Sequence, residues 1–137
     1  EGLTPQQQRL HAAVLTDLIL RFELTSLDPR AEDPLDVLRT LTRTLYQIEK
    51  AHWFYLDSWR VIKPELRFLN FRRFTAATLR RLPLFSAISG DVDAVMDYFS
   101  AIKARTRRAG AVILNEDMSK VLLVREYNGH SLGWPKG

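Results

Sequence analysis

The sequence contains no cysteine. That excludes disulfide frameworks and thiolate zinc sites, and it suits a reducing compartment. No run of about 18 or more apolar residues is present, so a membrane span is not expected. The opening "EGLTPQQQRL" lacks the basic end and apolar stretch of a secretory signal. Internal repeats and low-complexity segments are also missing. What is there is ordinary for a folded protein: 46% hydrophobic and 26% charged residues, against the low apolar content of disordered chains. The 137 residues suffice for one domain, or for one small domain and a piece of another.

Charge is unevenly spread. Residues 1–50 are slightly acidic, whereas Arg60, Lys63, Arg67, Arg72, Arg73, Arg80 and Arg81 face Glu65 alone over the next basic stretch. Lys103, Arg105, Arg107 and Arg108 form a second group. Such clusters attract phosphate-bearing partners, and they are equally the mark of solvated helix faces.

Helix starts are easy to read. Thr4-Pro5-Gln6-Gln7 offers a cap, a proline at the first position and a glutamine three after the cap; Leu10, Val14, Leu18 and Phe22 follow at helical spacing. "LDPRAEDP" reads as a connection, with Asp33 and Pro34 opening a second helix. That helix carries Leu38, Leu41, Leu45, Ile48, His52, Tyr55 or Leu56, and Trp59 on one stripe, and Pro64 lies past its end. A shorter helix is predicted from about Asn70 to Leu82, and another from Asp91 with Val92, Val95, Met96, Phe99 and Ile102 on one face. At Gly110 the pattern changes. "GAVIL" and "KVLLV", separated by "NEDMS", read as a β-hairpin, which is marginal by itself. Residues 1–106 are therefore read as a helical domain and 107–137 as the opening of a second.

The stretch "QIEKAHWFYLD", Gln47 to Asp57, places four rings side by side. At roughly 100° per residue, Trp53 falls about a third of a turn from the centre of the apolar stripe, and Phe54 nearly opposite it. Glu49, Trp53 and Asp57, spaced i, i+4, i+8, line one flank. An indole face beside a carboxylate suits a cationic ring with N–H donors on its edge, as in a methylated guanine. The same spacing fits an indole packed against a neighbouring helix. His52, on the core stripe, reads as a hydrogen-bonded structural histidine.

The same eleven residues resemble a signature helix in the N-terminal regulatory domain of the decapping protein 2 family, the catalytic subunits of mRNA-decapping enzymes. "TDLILRF", "LNFRRFTAATLRRLPLF" and "DVDAVMDYFSAIK" are similar to further segments of that domain, in the same order. "GAVILNEDMSKVLLVREYNGHSLGWPKG" looks like the first hairpin and loop of its Nudix hydrolase domain. The resemblance implies an all-α helical N-terminal domain followed by the first β-hairpin of an α/β/α Nudix domain, truncated. It implies hydrolysis of the 5′ cap of mRNA to 7-methyl-GDP and a 5′-monophosphate RNA, in cytoplasmic mRNA-processing bodies. By the same resemblance Trp53 stacks on the methylated base and Asp57 reads its edge. Around Leu10–Phe22 the helical domain is expected to dock the activator subunit, decapping protein 1.

Some positions depart from the family. The stretch between "RFELTSL" and "LYQIEK" is longer than expected, and "HSLGWPKG" stands where the family has a GWGFPKG pattern. The Nudix box, with its metal-binding glutamates, would begin at Gly137 and is not present in the 137 residues. Residues 1–137 are therefore expected to be inactive by themselves. By resemblance, the Gly137 carbonyl is a ligand for Mg²⁺ or Mn²⁺ and Lys136 faces phosphate. Two other readings fit: a helical docking module without catalysis, and a Nudix hydrolase for small nucleotides.

Overall fold

Thr4 starts the first helix by a reciprocal cap. Its hydroxyl accepts from the Gln7 N–H at 3.2 Å, and the Gln7 side-chain oxygen accepts from the Thr4 N–H at 3.0 Å, so two of the helix's orphan donors are satisfied. The computed structural model describes residues 3–25, 33–125 and 129–136. Up to residue 32, the connection read in "LDPRAEDP" lies outside the described residues.

Helix α1, Pro5–Arg21, ends in a Schellman motif. The Leu24 N–H reaches the Ile19 carbonyl at 2.9 Å, and the Glu23 N–H reaches Leu20 at 3.1 Å. Such an ending places the residue between in left-handed backbone, and Glu23 has φ 51°. Leu24 is thereby turned into the core. Helix α2, Pro34–Phe54, starts where Asp33 accepts from the Leu35 N–H at 2.9 Å. A single π turn, Tyr55–Trp59, continues it, and a short α3, Arg60–Ile62, follows. After a loop, α4 spans Phe71–Leu79, capped by Asn70, whose side chain accepts from the Arg73 N–H at 2.9 Å. A 3₁₀ segment, Pro83–Gly90, fills what reads in sequence as a plain link, and α5 runs Val92–Arg105.

The chain divides into two compact units, Glu1–Ile102 and Lys103–Gly137. In the first, Leu15 and Leu18 of α1, Leu45, Ile48 and Ala51 of α2, Tyr55 of the π turn, Phe74 of α4 and Phe85 share one core. Helix α5 joins through Val95 and Phe99; Phe99 meets Tyr46 edge-on at 5.0 Å, and the Tyr98 and Thr42 hydroxyls pair at 2.7 Å. Aliphatic side chains make up most of this core, with Tyr55, Phe74, Phe85 and Phe99 its large rings. Fully burying each contributes on the order of 2–3 kcal/mol, which lets a small helical unit hold together.

In the second unit, "GAVIL" and "KVLLV" meet as an antiparallel pair at the Leu114–Val121 bridge, where the Leu122 N–H reaches the Ile113 carbonyl at 2.9 Å. The turn between them is tied by side chains. Asn115 accepts from the Lys120 N–H at 2.8 Å, and Asp117 accepts from the Ser119 N–H at 3.1 Å. Beyond it β1, Val124–Arg125, pairs antiparallel with β2, Leu132–Gly133. Gly110 bridges Lys136 so closely that a Cβ there would stand 2.8 Å from the Pro135 carbonyl. Among the described residues no helix is long and apolar enough to cross a membrane.

Candidate functional site

The four rings of the sequence signature part company in space. His52 and Tyr55 turn inward, Phe54 packs sideways, and Trp53 is 55% exposed. Phe54 does not point away from the bundle as the wheel suggests: its ring meets Phe22 edge-on at 6.0 Å, under the Arg21 guanidinium at 5.0 Å. The reason is that Thr44 and Ala51 are also buried. They widen the covered arc of α2, and Phe54 lies only roughly 60° from Ala51.

The inward rings serve the loop before α4. Arg67 is held at both of its backbone groups: its N–H donates to His11 Nε2 at 3.0 Å, and its carbonyl accepts from the Tyr55 hydroxyl at 2.5 Å. His52 Nε2 lies 2.8 Å from the Leu69 carbonyl, so that nitrogen carries the proton, and the imidazole is packed between Phe71 and Phe74. Arg60 Nε donates to the Leu66 carbonyl at 3.3 Å. A loop whose polar backbone is satisfied by four side chains is fixed in place without a sheet or helix. His52 is structural, as its place on the stripe suggests.

Titration follows from this burial. Burial, and then the nearby Arg67 charge, lowers the His11 pKa, as its acceptor role requires. Burial pushes the Tyr55 hydroxyl up to about 12, against a smaller opposing effect of Arg60.

Asp57 lies in the middle of the π turn and is exposed. The turn is closed by the Arg60 N–H reaching back five residues to the Tyr55 carbonyl. Its ends are tied elsewhere: Tyr55 to the Arg67 carbonyl, and the Trp59 indole N–H to Asp17 of α1 at 3.2 Å. A π turn advances less per residue than an α-helix. Asp57 is thus brought closer to the line of Trp53 than the roughly 40° offset of a regular i, i+4 pair. The result is an exposed indole with an exposed carboxylate one turn on; Glu49, one turn back, is half-buried. Such a pair can stack a cationic ring and accept from its edge donors.

Lys136 belongs to the second unit, exposed in the bridge with Gly110. Gly137 lies outside the described residues. Among the described residues no group of three or more His, Asp or Glu side chains is placed to hold a metal ion. One glycine carbonyl is far short of the roughly six oxygens that Mg²⁺ takes, and the described residues add no cluster to complete such a site. Sequence reasoning missed the π turn, the Trp59–Asp17 bond and the exposed Phe68; only Phe68 left a signal, as a ring set among cations.

Comparison with known proteins finds that the family described as "Dcp2, box A domain" matches residues 13–101. The m7GpppN-mRNA hydrolase of Saccharomyces cerevisiae is 32% identical over 124 residues, 90% of this chain and 12% of that protein. The mRNA decapping complex subunit 2 of Schizosaccharomyces pombe is 34% identical over 125 residues, 90% of this chain and 16% of its own length. The mRNA-decapping enzyme subunit 2 of Arabidopsis thaliana is 28% identical over 124 residues, again 90% of this chain and 31% of its own. The chain thus spans less than a third of each of these relatives.

Proposed function

Because the chain belongs to the Dcp2 box A family, we propose that it is the cap-reading part of an mRNA-decapping enzyme. That enzyme hydrolyses the 5′ 7-methylguanosine cap to 7-methyl-GDP and 5′-monophosphate RNA. The observation that carries this reading is the exposed Trp53 indole with the exposed Asp57 carboxylate one turn beyond it. The positively charged methylated purine stacks on the indole, an attraction worth about 0.5–2 kcal/mol. Asp57 accepts from the N–H groups of the guanine edge; hydrogen bonds to a charged group contribute about 1.5–3 kcal/mol. Holding Asp57 in a turn tied at both ends reduces the ordering cost of binding.

Residues 107–137 are proposed as the opening strands of a Nudix hydrolase domain after a helical domain of residues 1–106, with Lys136 toward phosphate and the Gly137 carbonyl toward Mg²⁺ or Mn²⁺. Divalent metal would supply phosphate neutralisation and an activated water, and the glutamates to hold it are not among the 137 residues. The activator decapping protein 1 is assigned to the surface around Leu10–Phe22, where Leu20 stands 65% exposed. The reaction is assigned to cytoplasmic mRNA-processing bodies.

The test is a titration of the chain with 7-methyl-GDP, followed by tryptophan emission, repeated with Asp57→Ala. The substitution is expected to weaken binding about tenfold or more and to leave the melting temperature unchanged, since the side chain is exposed. Equal affinity in both proteins would overturn the reading of Asp57.

A further inference from the structure

Phe68 is 57% exposed, although the backbone of the loop that carries it is held by side-chain hydrogen bonds. Leu66 before it is buried, Leu69 after it is half-buried, and the backbone of Leu66, Arg67 and Leu69 is bonded to Arg60, His11, Tyr55 and His52. The ring is therefore held out to water by a fixed scaffold. The Arg60 guanidinium lies over it, 5.4 Å from the centroid, and its Nε is itself anchored on the Leu66 carbonyl. Lys63 and Arg67 in the same stretch are both exposed, with Glu65 the one acid between Arg60 and Phe68.

The loop follows directly on the helical run that carries Trp53 and Asp57. Trp53, Asp57 and Val61 follow at i, i+4, i+8 and all three are exposed. With the π turn between them, Val61 stands somewhat less than the roughly 12 Å of eight α-helical residues along the axis from Trp53. Arg60, over Phe68, is its immediate neighbour.

We propose that Phe68, backed by Arg60, is a second stacking site, which takes an unpaired base of the RNA strand whose cap is read by Trp53 and Asp57. The proposal rests on the cap-reading assignment. An aromatic face set among cations is how proteins hold single-stranded RNA without reading its sequence: the ring meets a base, and the cations follow the phosphates. Charge favours a polyanion such as RNA over an apolar protein partner. A face built to bury apolar side chains gains nothing from Arg60, Lys63 and Arg67, whereas a polyanion does. An acidic peptide is the alternative, and the test includes it.

The experiment measures the affinity of the chain for three probes: 7-methyl-GDP, a capped decaribonucleotide, and the same decanucleotide with a 5′-monophosphate. Phe68→Ala is expected to weaken both oligonucleotides on the order of tenfold and to leave 7-methyl-GDP binding unchanged. Phe68→Trp should restore the affinity, and Phe68→Leu, which keeps the apolar bulk without the ring's π face, should not. Lys63→Gln and Arg67→Gln should each lower the slope of log affinity against log salt by about 0.7. A loss of 7-methyl-GDP binding in Phe68→Ala equal to the loss of oligonucleotide binding overturns the second site, as does full affinity in Phe68→Leu. Binding of a poly-glutamate peptide with no displacement by the uncapped decanucleotide assigns the face to a protein and overturns it too. Failure of the cap assignment shows separately, as unchanged 7-methyl-GDP affinity in Trp53→Ala while Phe68→Ala still weakens the uncapped strand.

Discussion

The Trp59 indole N–H donates to the Asp17 carboxylate across 3.2 Å, joining the end of the π turn to the first helix. The same carboxylate oxygen accepts from Arg21 Nε, also at 3.2 Å. Asp57 lies two residues before Trp59, so a bond far from any ligand helps to set where that carboxylate stands.

Asp17→Ala leaves the half-buried indole N–H without its acceptor. The expected loss is about 1 kcal/mol in urea denaturation, together with severalfold weaker binding of 7-methyl-GDP. Asp17→Asn, which keeps an acceptor oxygen, should lose less of both. Unchanged stability and affinity in Asp17→Ala would remove the bond from the account.

His11 gives the first unit an acid-side pH dependence. Its Nε2 accepts from the Arg67 N–H, and its folded pKa lies below the ordinary 6.5. As pH falls through 6.5 the unfolded chain takes up a proton that the folded chain refuses, so stability declines until the folded pKa is passed and then levels. Above 6.5 this residue contributes no slope. Denaturant midpoints measured across the acid range check this, and His11→Gln should flatten the His-dependent part of the profile.

Tyr55 does the converse at alkaline pH. With its hydroxyl pushed up to about 12 and donating to the Arg67 carbonyl, the folded chain keeps a proton that the unfolded chain loses near 10. Stability should fall from about pH 10 toward 12. Tyr55→Phe should cost about 1 kcal/mol at neutral pH and abolish that decline, as read by the denaturant midpoint.

Glu23 carries a backbone strain that glycine would relieve. At φ 51° it pays the left-handed penalty of any residue with a Cβ, about 1 kcal/mol. Glu23→Gly is expected to raise the urea midpoint by up to that amount, reduced by the greater freedom glycine has when unfolded. A lower midpoint would show that the glutamate side chain contributes more than the strain removes.

Local signals were legible and non-local ones were not. Thr4, Asp33, Asn70 and Asp91 mark helix starts because a cap acts within three residues; Asp91 Oδ1, for example, accepts from the Ala94 N–H at 3.3 Å. The wheel sets Trp53 off the core stripe but leaves open whether another helix covers it, and the structure leaves it exposed. Nothing in "YLDSW" announces a π turn, however, for its ends are tied by Arg67 and Asp17, 12 and 42 positions away. The wheel misplaces Phe54 because small Ala51 and polar Thr44, off the stripe of large apolar residues, are also covered. The exposure of Phe68 is not legible in the basic stretch, because it depends on where Leu66 and Leu69 pack.

The central claim is that the Trp53 indole selects a positively charged purine. The most direct measurement is the ratio of affinities for 7-methyl-GDP and GDP in the wild-type chain and in Trp53→Ala. The expected result is a preference for the methylated ligand on the order of tenfold in the wild type and a ratio near one in the variant, with the melting temperature unchanged. A methyl preference that survives intact in Trp53→Ala would contradict the account.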